Sequence, residues 1–174
     1  MAFRKAGRPA EAIRMLSTLS EAALSTNNFR EAAYYYWMLA VASGKQYPEG
    51  SQPAHVEIGR QVYEDNAAKA DLYYAYHTIY AYIKEPFTAH QPENVFNTAR
   101  FLLHRLQFDE PPPGIRKSYI LWAMAEQASK LGCYKVCVCV CLCLCLCLCL
   151  WCVCGVSACV SACVSACVSA CIYP

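Results

Sequence analysis

The chain has 174 residues and a formal net charge of +2, from 15 basic and 13 acidic side chains that are interspersed. Because these charges form no basic stripe that would neutralise phosphates, the composition argues against a nucleic-acid-binding protein. Every charged residue lies before residue 136, whereas 13 of the 14 cysteines follow it, so the sequence predicts two parts, residues 1–135 and 136–174. The lack of cysteine in residues 1–132 excludes a disulfide framework there and fits a reducing compartment. We expect no signal peptide, because amphipathic sequence follows the first basic residues.

Two amphipathic helices are predicted in the first 44 residues, because apolar side chains recur there every three or four positions. The first helix has Pro9 in its first turn, and the second begins after Asn27 or Asn28 as N-cap and ends at Gly44. The link at residues 25–28 is short, so we expect an antiparallel hairpin. The predicted buried stripes are Ala12, Leu16, Leu19 and Ala23 in the first helix, and Phe29, Ala32, Ala33, Tyr36, Trp37 and Ala40 in the second.

A long third helix is predicted over residues 54–84, after a Pro- and Gly-rich loop at residues 47–53, and Glu85 and Pro86 terminate it. This helix has two apolar faces rather than one, which predicts that it packs between neighbours on both sides. One face comprises Tyr63, Ala67, Ala70, Tyr74, His77 and Ala81, and the other comprises Leu72, Tyr76, Ile79 and Ile83.

Two further helices are predicted between residues 92 and 132. Pro92 opens the fourth, and the breaker at residues 111–114 separates it from a fifth that ends at Leu131 and Gly132. No window of residues 1–135 alternates as a strand does, so the predicted fold class is all-α. The predicted apolar positions are Val95, Phe96, Ala99, Leu102, Leu103 and Leu106 in the fourth helix, and Ile115, Tyr119, Trp122 and Ala125 in the fifth.

Helix openings recur along the chain in a way that indicates repeats. Residues 7–12 and 28–33 each place a turn residue before a Glu-Ala helix start, 21 residues apart, and residues 132–135 resemble another such opening. Helix pairs in series, with small residues at contact points and large aromatics between them, are typical of tetratricopeptide-like α-solenoids. The aromatic runs at residues 34–37 and 73–76 favour core packing, with a peptide-binding groove as the alternative.

The residue types needed for catalysis or metal binding are present but dispersed. The acidic pairs at 64–65 and 109–110 are adjacent, so they do not direct two carboxylates at one point. The glycines form no phosphate-binding loop. We therefore predict no enzyme, catalytic residue, cofactor or metal site, and the sequence assigns no partner-binding residue. The four histidines, which have no second ligand at metal spacing, are His55, His77, His90 and His104.

Residues 136–174 consist of short perfect repeats, with alternating Val-Cys and Leu-Cys up to Leu150 and then Val-Ser-Ala-Cys four times. Short DNA repeats translate into such periods, and the codons for Lys135 and Val136 can be written as an exon end before a splice donor. We therefore interpret this low-complexity tail as translated non-coding sequence. Three alternatives remain open: a transmembrane span at residues 136–156, a metal–thiolate cluster, and an aggregation-prone strand.

The run Ala-Ala-Tyr-Tyr-Tyr-Trp-Met-Leu at residues 32–39 is the most specific of several segments of residues 2–135 that resemble one known family. That family is the intraflagellar transport protein 122 family, whose members are large subunits of intraflagellar transport complex A. After Lys135 the family pattern continues as a helix with charged residues, whereas this chain begins its cysteine repeat. The other resembling segments are Ala-Phe-Arg-Lys-Ala-Gly-Arg at 2–8, Tyr-Ala-Tyr-His at 74–77, Pro-Phe at 86–87, Phe-Asn-Thr-Ala-Arg-Phe-Leu-Leu-His at 96–104 and Lys-Leu-Gly at 130–132.

The resemblance implies a fragment of the family's tetratricopeptide-like α-solenoid, without the two WD-repeat β-propellers and the zinc-binding cysteine pairs that family members also carry. It implies a non-catalytic scaffold that contacts other complex A subunits in retrograde ciliary transport and cilium assembly. The implied location is the cytoplasm, cilium and ciliary base. A solenoid cut between repeats exposes apolar surface, so we also expect self-association. The alternative function is a helical protein anchored to a membrane by residues 136–156.

Overall fold

In the computed structural model, residues 9–44, 53–86, 90–106 and 110–133 are described, and most of them lie in helices. The helices are α1 (Pro9–Ser25), α2 (Phe29–Gly44), α3 (Pro53–Lys84), α4 (Pro92–Arg105) and α5 (Lys117–Lys130). No strand occurs in these four ranges, and the predicted all-α fold class is confirmed. The tail, with its predicted repeat, span and metal-binding alternatives, lies outside the described residues.

The turn between α1 and α2 closes one helix and opens the next. The Asn28 N–H donates to the carbonyl of Ala23 at 2.8 Å, and the Asn27 N–H donates to that of Leu24 at 3.0 Å, which is the Schellman pattern. Asn27 has a φ of 55°, a left-handed conformation that asparagine tolerates better than most side chains. The Glu31 N–H donates to the side-chain oxygen of Asn28 at 3.4 Å. Of the two predicted caps, Asn28 is therefore the N-cap of α2.

α1 and α2 pack against each other in the first of two compact units, Met1–His77. The buried face of α1 is rotated about the helix axis relative to the predicted face. Leu19, which was predicted to be buried, is 39% exposed, whereas Ser20 is 1% exposed. Ser20 tolerates burial because its hydroxyl donates a hydrogen bond to the Ser17 carbonyl at 2.7 Å. On α2 the predicted stripe is buried except for half-buried Tyr36 and for Trp37, which is 46% exposed. The predictions of burial for Leu19 and Trp37 are therefore wrong.

α3 buries a different set of aromatic side chains from the predicted set. Tyr74 was predicted on an apolar face and is 65% exposed, whereas Tyr73 is 1% exposed. The Phe29 ring of α2 accounts for this difference, since it lies 6.3 Å from the Tyr73 ring and 4.8 Å from the Tyr76 ring. Steps of three residues drift around a helix, so the buried side of α3 moves from one face to another along its length. The other buried hydrophobic side chains of α3 are Ala70, Ile79 and Tyr82.

α4 and α5 pack against each other in the second unit, Thr78–Pro174. α4 buries the stripe predicted for it, apart from half-buried Phe96. The prediction for α5 is wrong at Trp122, which is 43% exposed, and at Ile115, which is buried but precedes the helix. The residues that α5 buries are Ile120, Leu121, Ala123, Met124, Ala125, Gln127 and Ala128.

The end of α5 repeats the hydrogen-bond pattern that closes α1. The Cys133 N–H donates to the Ala128 carbonyl at 2.8 Å, and the Gly132 N–H donates to the Ser129 carbonyl at 3.1 Å. Gly132 has a φ of 74°, which glycine adopts without a steric penalty. The turns before two of the three predicted helix openings, at Asn27 and Gly132, are therefore of one type.

Candidate interaction surfaces

The side chains that could bind a metal ion are dispersed within the described residues. Within them, no three His, Cys, Asp or Glu side chains are placed to hold one metal ion. His55 and His104 are exposed, and the His90 ring packs edge-on against Tyr82 with 5.8 Å between the centroids. His77 is half-buried, and burial, followed by the positive charge of Arg30, lowers the pKa of its imidazole. The histidines described here thus differ in burial and in the side chains around them.

The acidic residues near the start of α3 belong to a surface ion-pair network. Arg60 binds the Glu57 carboxylate at 2.6 Å and the Glu64 carboxylate at 2.8 Å. The hydrogen bond from Arg60, followed by its charge, lowers the pKa of Glu57. All three side chains are more than half exposed, so the network is worth little to stability. Glu64 is therefore a surface residue here, and the predicted acidic pair at 109–110 lies partly outside the described residues.

A buried aromatic cluster joins α2 to α3 inside the first unit. The Tyr36 and Tyr73 rings stack with 5.4 Å between their centroids, and Phe29 packs edge-on against Tyr76. Burial, with a smaller contribution from Tyr36, raises the pKa of the Tyr73 hydroxyl above its usual range. Lys69 lies above the Tyr36 ring with its ammonium 5.8 Å from the centroid, which adds a cation–π contact at the edge. Tyr36, Tyr73 and Tyr76 therefore pack in the core, which is the role predicted for the aromatic runs.

Three other aromatic side chains of the first unit are exposed instead. Tyr34 is 58% exposed, Trp37 46% and Tyr74 65%. On α2, Arg30, Tyr34 and Trp37 are spaced four and then three residues apart, so they form one ridge of the helix. Trp, Tyr and Arg are the residues most enriched at the energetic centres of protein interfaces. We call Arg30, Tyr34 and Trp37 the aromatic surface, and it is the best candidate for partner contact in the first unit.

A second cluster surrounds Tyr82 inside the second unit. The Lys130 ammonium donates to the Tyr82 hydroxyl oxygen at 3.0 Å and pairs with Glu126 at 3.1 Å. These two hydrogen bonds, with that to Tyr82 the stronger influence, raise the pKa of Lys130. Trp122 lies 6.0 Å from the Tyr82 ring. The cluster ties the end of α3 to α5 and leaves Trp122 partly exposed, so its main role is packing.

Comparison with known proteins assigns these helices to a family. The family model described as "IFT122, TPR domain" matches residues 1–119. The chain belongs to the intraflagellar transport protein 122 family. It is 39% identical over 135 residues to the human intraflagellar transport protein 122 homolog and 40% identical over 135 residues to that of Danio rerio. Each alignment covers 78% of this chain and 11% of the relative, so the chain spans about a tenth of the length of the curated relatives it matches.

Family membership confirms the resemblance described in the sequence analysis and the prediction of tetratricopeptide-like helical hairpins. None of the helices in the described ranges is long and apolar enough to cross a membrane. The membrane-anchor alternative depends on residues 136–156, which lie outside those ranges, so it stays a prediction. Sequence reasoning assigned no partner-binding residue. For the aromatic runs at residues 34–37 and 73–76 it favoured core packing and kept a peptide-binding groove as the alternative, without selecting the aromatic surface. The signal for it was available, because Trp37 and Tyr34 share a helix face with charged Arg30.

Proposed function

We propose that residues 1–135 are a non-catalytic scaffold segment that contacts other subunits of intraflagellar transport complex A in ciliary retrograde transport and cilium assembly. Membership of the intraflagellar transport protein 122 family carries this proposal. The described residues support a binding rather than a chemical role, because their exposed aromatic side chains lie on helices and their titratable groups are dispersed.

The aromatic surface supplies the means of contact. Tyr and Trp side chains have few rotatable bonds, so ordering them in an interface costs little entropy for the area they cover. α2 holds them rigidly, because Phe29 and Ala32 on its opposite side are buried. Arg30 adds a planar cation that can bind a carboxylate through two parallel hydrogen bonds. The segment therefore acts by presenting a preformed helix ridge to a neighbouring subunit.

The functional part ends, in this proposal, at residue 135. The alignments to the human and Danio rerio relatives span 135 residues, which equals the length of chain before the cysteine repeat and supports this boundary. The tail at residues 136–174 is then translated non-coding repeat. Sequencing of transcripts across codon 135 tests the boundary: spliced reads are expected, and uninterrupted reading through the repeat in most transcripts would contradict it.

Capture of complex A subunits from ciliated cells tests the scaffold function. The tagged full chain is expected to retain them, with a full-length relative as the positive control. Replacing both Tyr34 and Trp37 by serine should reduce capture at least about tenfold, since interface aromatics often contribute more than 1.4 kcal/mol each. Phe101→Ser, at a 38% exposed aromatic residue of α4, is the matched control and should leave capture unchanged.

Two outcomes of this experiment would contradict separate parts of the proposal. If the wild-type chain captures nothing while the full-length relative does, the scaffold function is wrong. If the wild-type chain captures subunits and the double variant does so equally well, the function stands but the aromatic surface is not the contact.

The cellular location is tested by imaging and by extraction. We expect the tagged chain in the cytoplasm, at the ciliary base and in the cilium. A scaffold fragment should leave membranes in alkaline carbonate, whereas a chain anchored by residues 136–156 would stay in the membrane pellet. Retention in the pellet would favour the anchor over the scaffold.

A further inference from the structure

α1 carries an exposed apolar stripe beside its buried face. Met15 is 45% exposed, Leu19 is 39% exposed, and Ala22 is also exposed. Their spacing of four and three residues places them one above another on a single helix face. A shallow surface groove of about 430 Å³ is lined by Arg14, Met15, Thr18 and Leu19. The stripe thus has both apolar side chains and a concave border that a second helix can fill.

Two opposite charges border this stripe on the same edge. Arg14 and Glu21 are seven residues apart, so they lie almost directly above one another, separated by about 10.5 Å along the helix axis. This distance is too long for an ion pair within α1. Among the described residues, neither the Arg14 guanidinium nor the Glu21 carboxylate has a hydrogen-bond or ion-pair partner. Both charges are therefore available to groups outside the helix.

We infer that the α1 stripe binds the α1 stripe of a second copy of this chain, with the two helices antiparallel. A twofold axis between residues 17 and 18 places Arg14 of each copy beside Glu21 of the other, because both residues lie equally far from that point. The same register brings Met15 of one copy to within one residue of the level of Leu19 of the other, so the largest apolar side chains of the stripe meet. One arrangement thus satisfies the charges and covers the apolar residues.

The charge pattern favours a second copy over an unrelated partner. In an antiparallel pair related by a twofold axis, each edge of one helix lies beside the same edge of the other helix. Such an edge is self-complementary only if it carries opposite charges at equal distances from the axis. Arg14 and Glu21 meet this condition. A parallel pair related by a twofold axis would instead match each edge with the opposite edge of its partner, so Arg14 and Glu21 would not meet. The stripe is short, so the dimer belongs among small interfaces, below about 1,200 Å², and should be weak and concentration-dependent.

Charge reversal with rescue tests the arrangement. Sedimentation equilibrium of the full chain under reducing conditions measures the dimer Kd for the wild type, Arg14→Glu, Glu21→Arg and the variant that carries both changes. Each single change places like charges together twice and should weaken the dimer about tenfold or more. The double change restores both pairs with the signs exchanged, so its Kd should return to within about threefold of the wild-type value. Raising the salt concentration should weaken the wild-type dimer.

Two further variants separate the α1 stripe from other sources of association. Leu19→Glu places a charge in the centre of the stripe and should leave a monomer, whereas Val62→Glu places one at a 39% exposed position of α3 and should not change the Kd. Circular dichroism of each variant checks that the helices are intact. The inference is overturned if the wild type is a monomer at all concentrations, if Leu19→Glu associates as the wild type does, or if the double charge reversal is weaker than both single changes. None of these results bears on the capture of complex A subunits.

Discussion

The substitution Phe29→Ala tests the buried contact between α2 and α3 directly. The Phe29 side chain is 1% exposed, and its ring contacts the rings of Tyr73 and Tyr76. Truncation to alanine removes this ring from the core, and the two tyrosine rings lose a packing partner. If the first unit depends on this contact, the variant should lose much of its stability.

The expected loss follows from the burial and the neighbours. Truncating a buried phenylalanine to alanine costs about 3–5 kcal/mol. Since domains are stable by only about 5–15 kcal/mol, such a loss is a large fraction of the total. Phe29→Leu keeps an apolar side chain but loses the ring geometry, so it should cost about 1–1.5 kcal/mol. The two substitutions at one position therefore separate the contribution of the aromatic ring from that of apolar volume.

Urea titration followed by circular dichroism, under reducing conditions, measures these losses. With an m-value of about 2 kcal/mol per molar urea, Phe29→Ala should lower the midpoint by roughly 1.5–2.5 M and Phe29→Leu by roughly 0.5–0.75 M. Tyr34→Ala is the control, because Tyr34 is 58% exposed on the same helix and should cost less than about 0.5 kcal/mol. Equal midpoint shifts for Phe29→Ala and Tyr34→Ala would refute the view that Phe29 anchors α2 to α3.

Three smaller perturbations test other features. Asn27→Gly should raise stability by up to about 1 kcal/mol, because glycine adopts the observed φ of 55° more readily, and thermal melting will show it as a higher midpoint. Tyr82→Phe removes the hydrogen bond from Lys130 and should lower stability by about 0.5–1.5 kcal/mol in a urea titration. The pKa of His77 is lowered in the folded chain, so neutral His77 contributes fully to stability at a pH above its unfolded pKa. That contribution is lost as the pH falls from the unfolded pKa through the folded pKa. Arg30→Gln should raise the pKa of His77 in an NMR titration, and an unchanged pKa would contradict the role of the Arg30 charge.

Local sequence was sufficient to predict the helices and the turns of the described ranges. Proline in a first turn, asparagine or glycine at a helix end and apolar residues at helical spacing act within a few residues of themselves. An N-cap at Asn27 or Asn28 and a helix end at Leu131 and Gly132 were predicted for this reason, and the structure has Asn28 as the N-cap and Gly132 in the turn that ends α5. The resemblance to the family could likewise be recognised from the sequence, because it depends only on the order of the residues.

The choice of buried side chains along each helix required the tertiary structure. Leu19, Trp37, Tyr74 and Trp122 are large and apolar, so their spacing placed them in the core, yet all four are substantially exposed. Which neighbour is present decides the outcome: the Phe29 ring covers Tyr73 rather than adjacent Tyr74. A hydrophobic stripe specifies which side chains can be buried, but the position of the packed helix selects among them. The same selection leaves the aromatic surface and the α1 stripe exposed, so these candidate binding surfaces became visible only in the folded chain. The all-α fold and the family, in contrast, were already determined by the order of the residues.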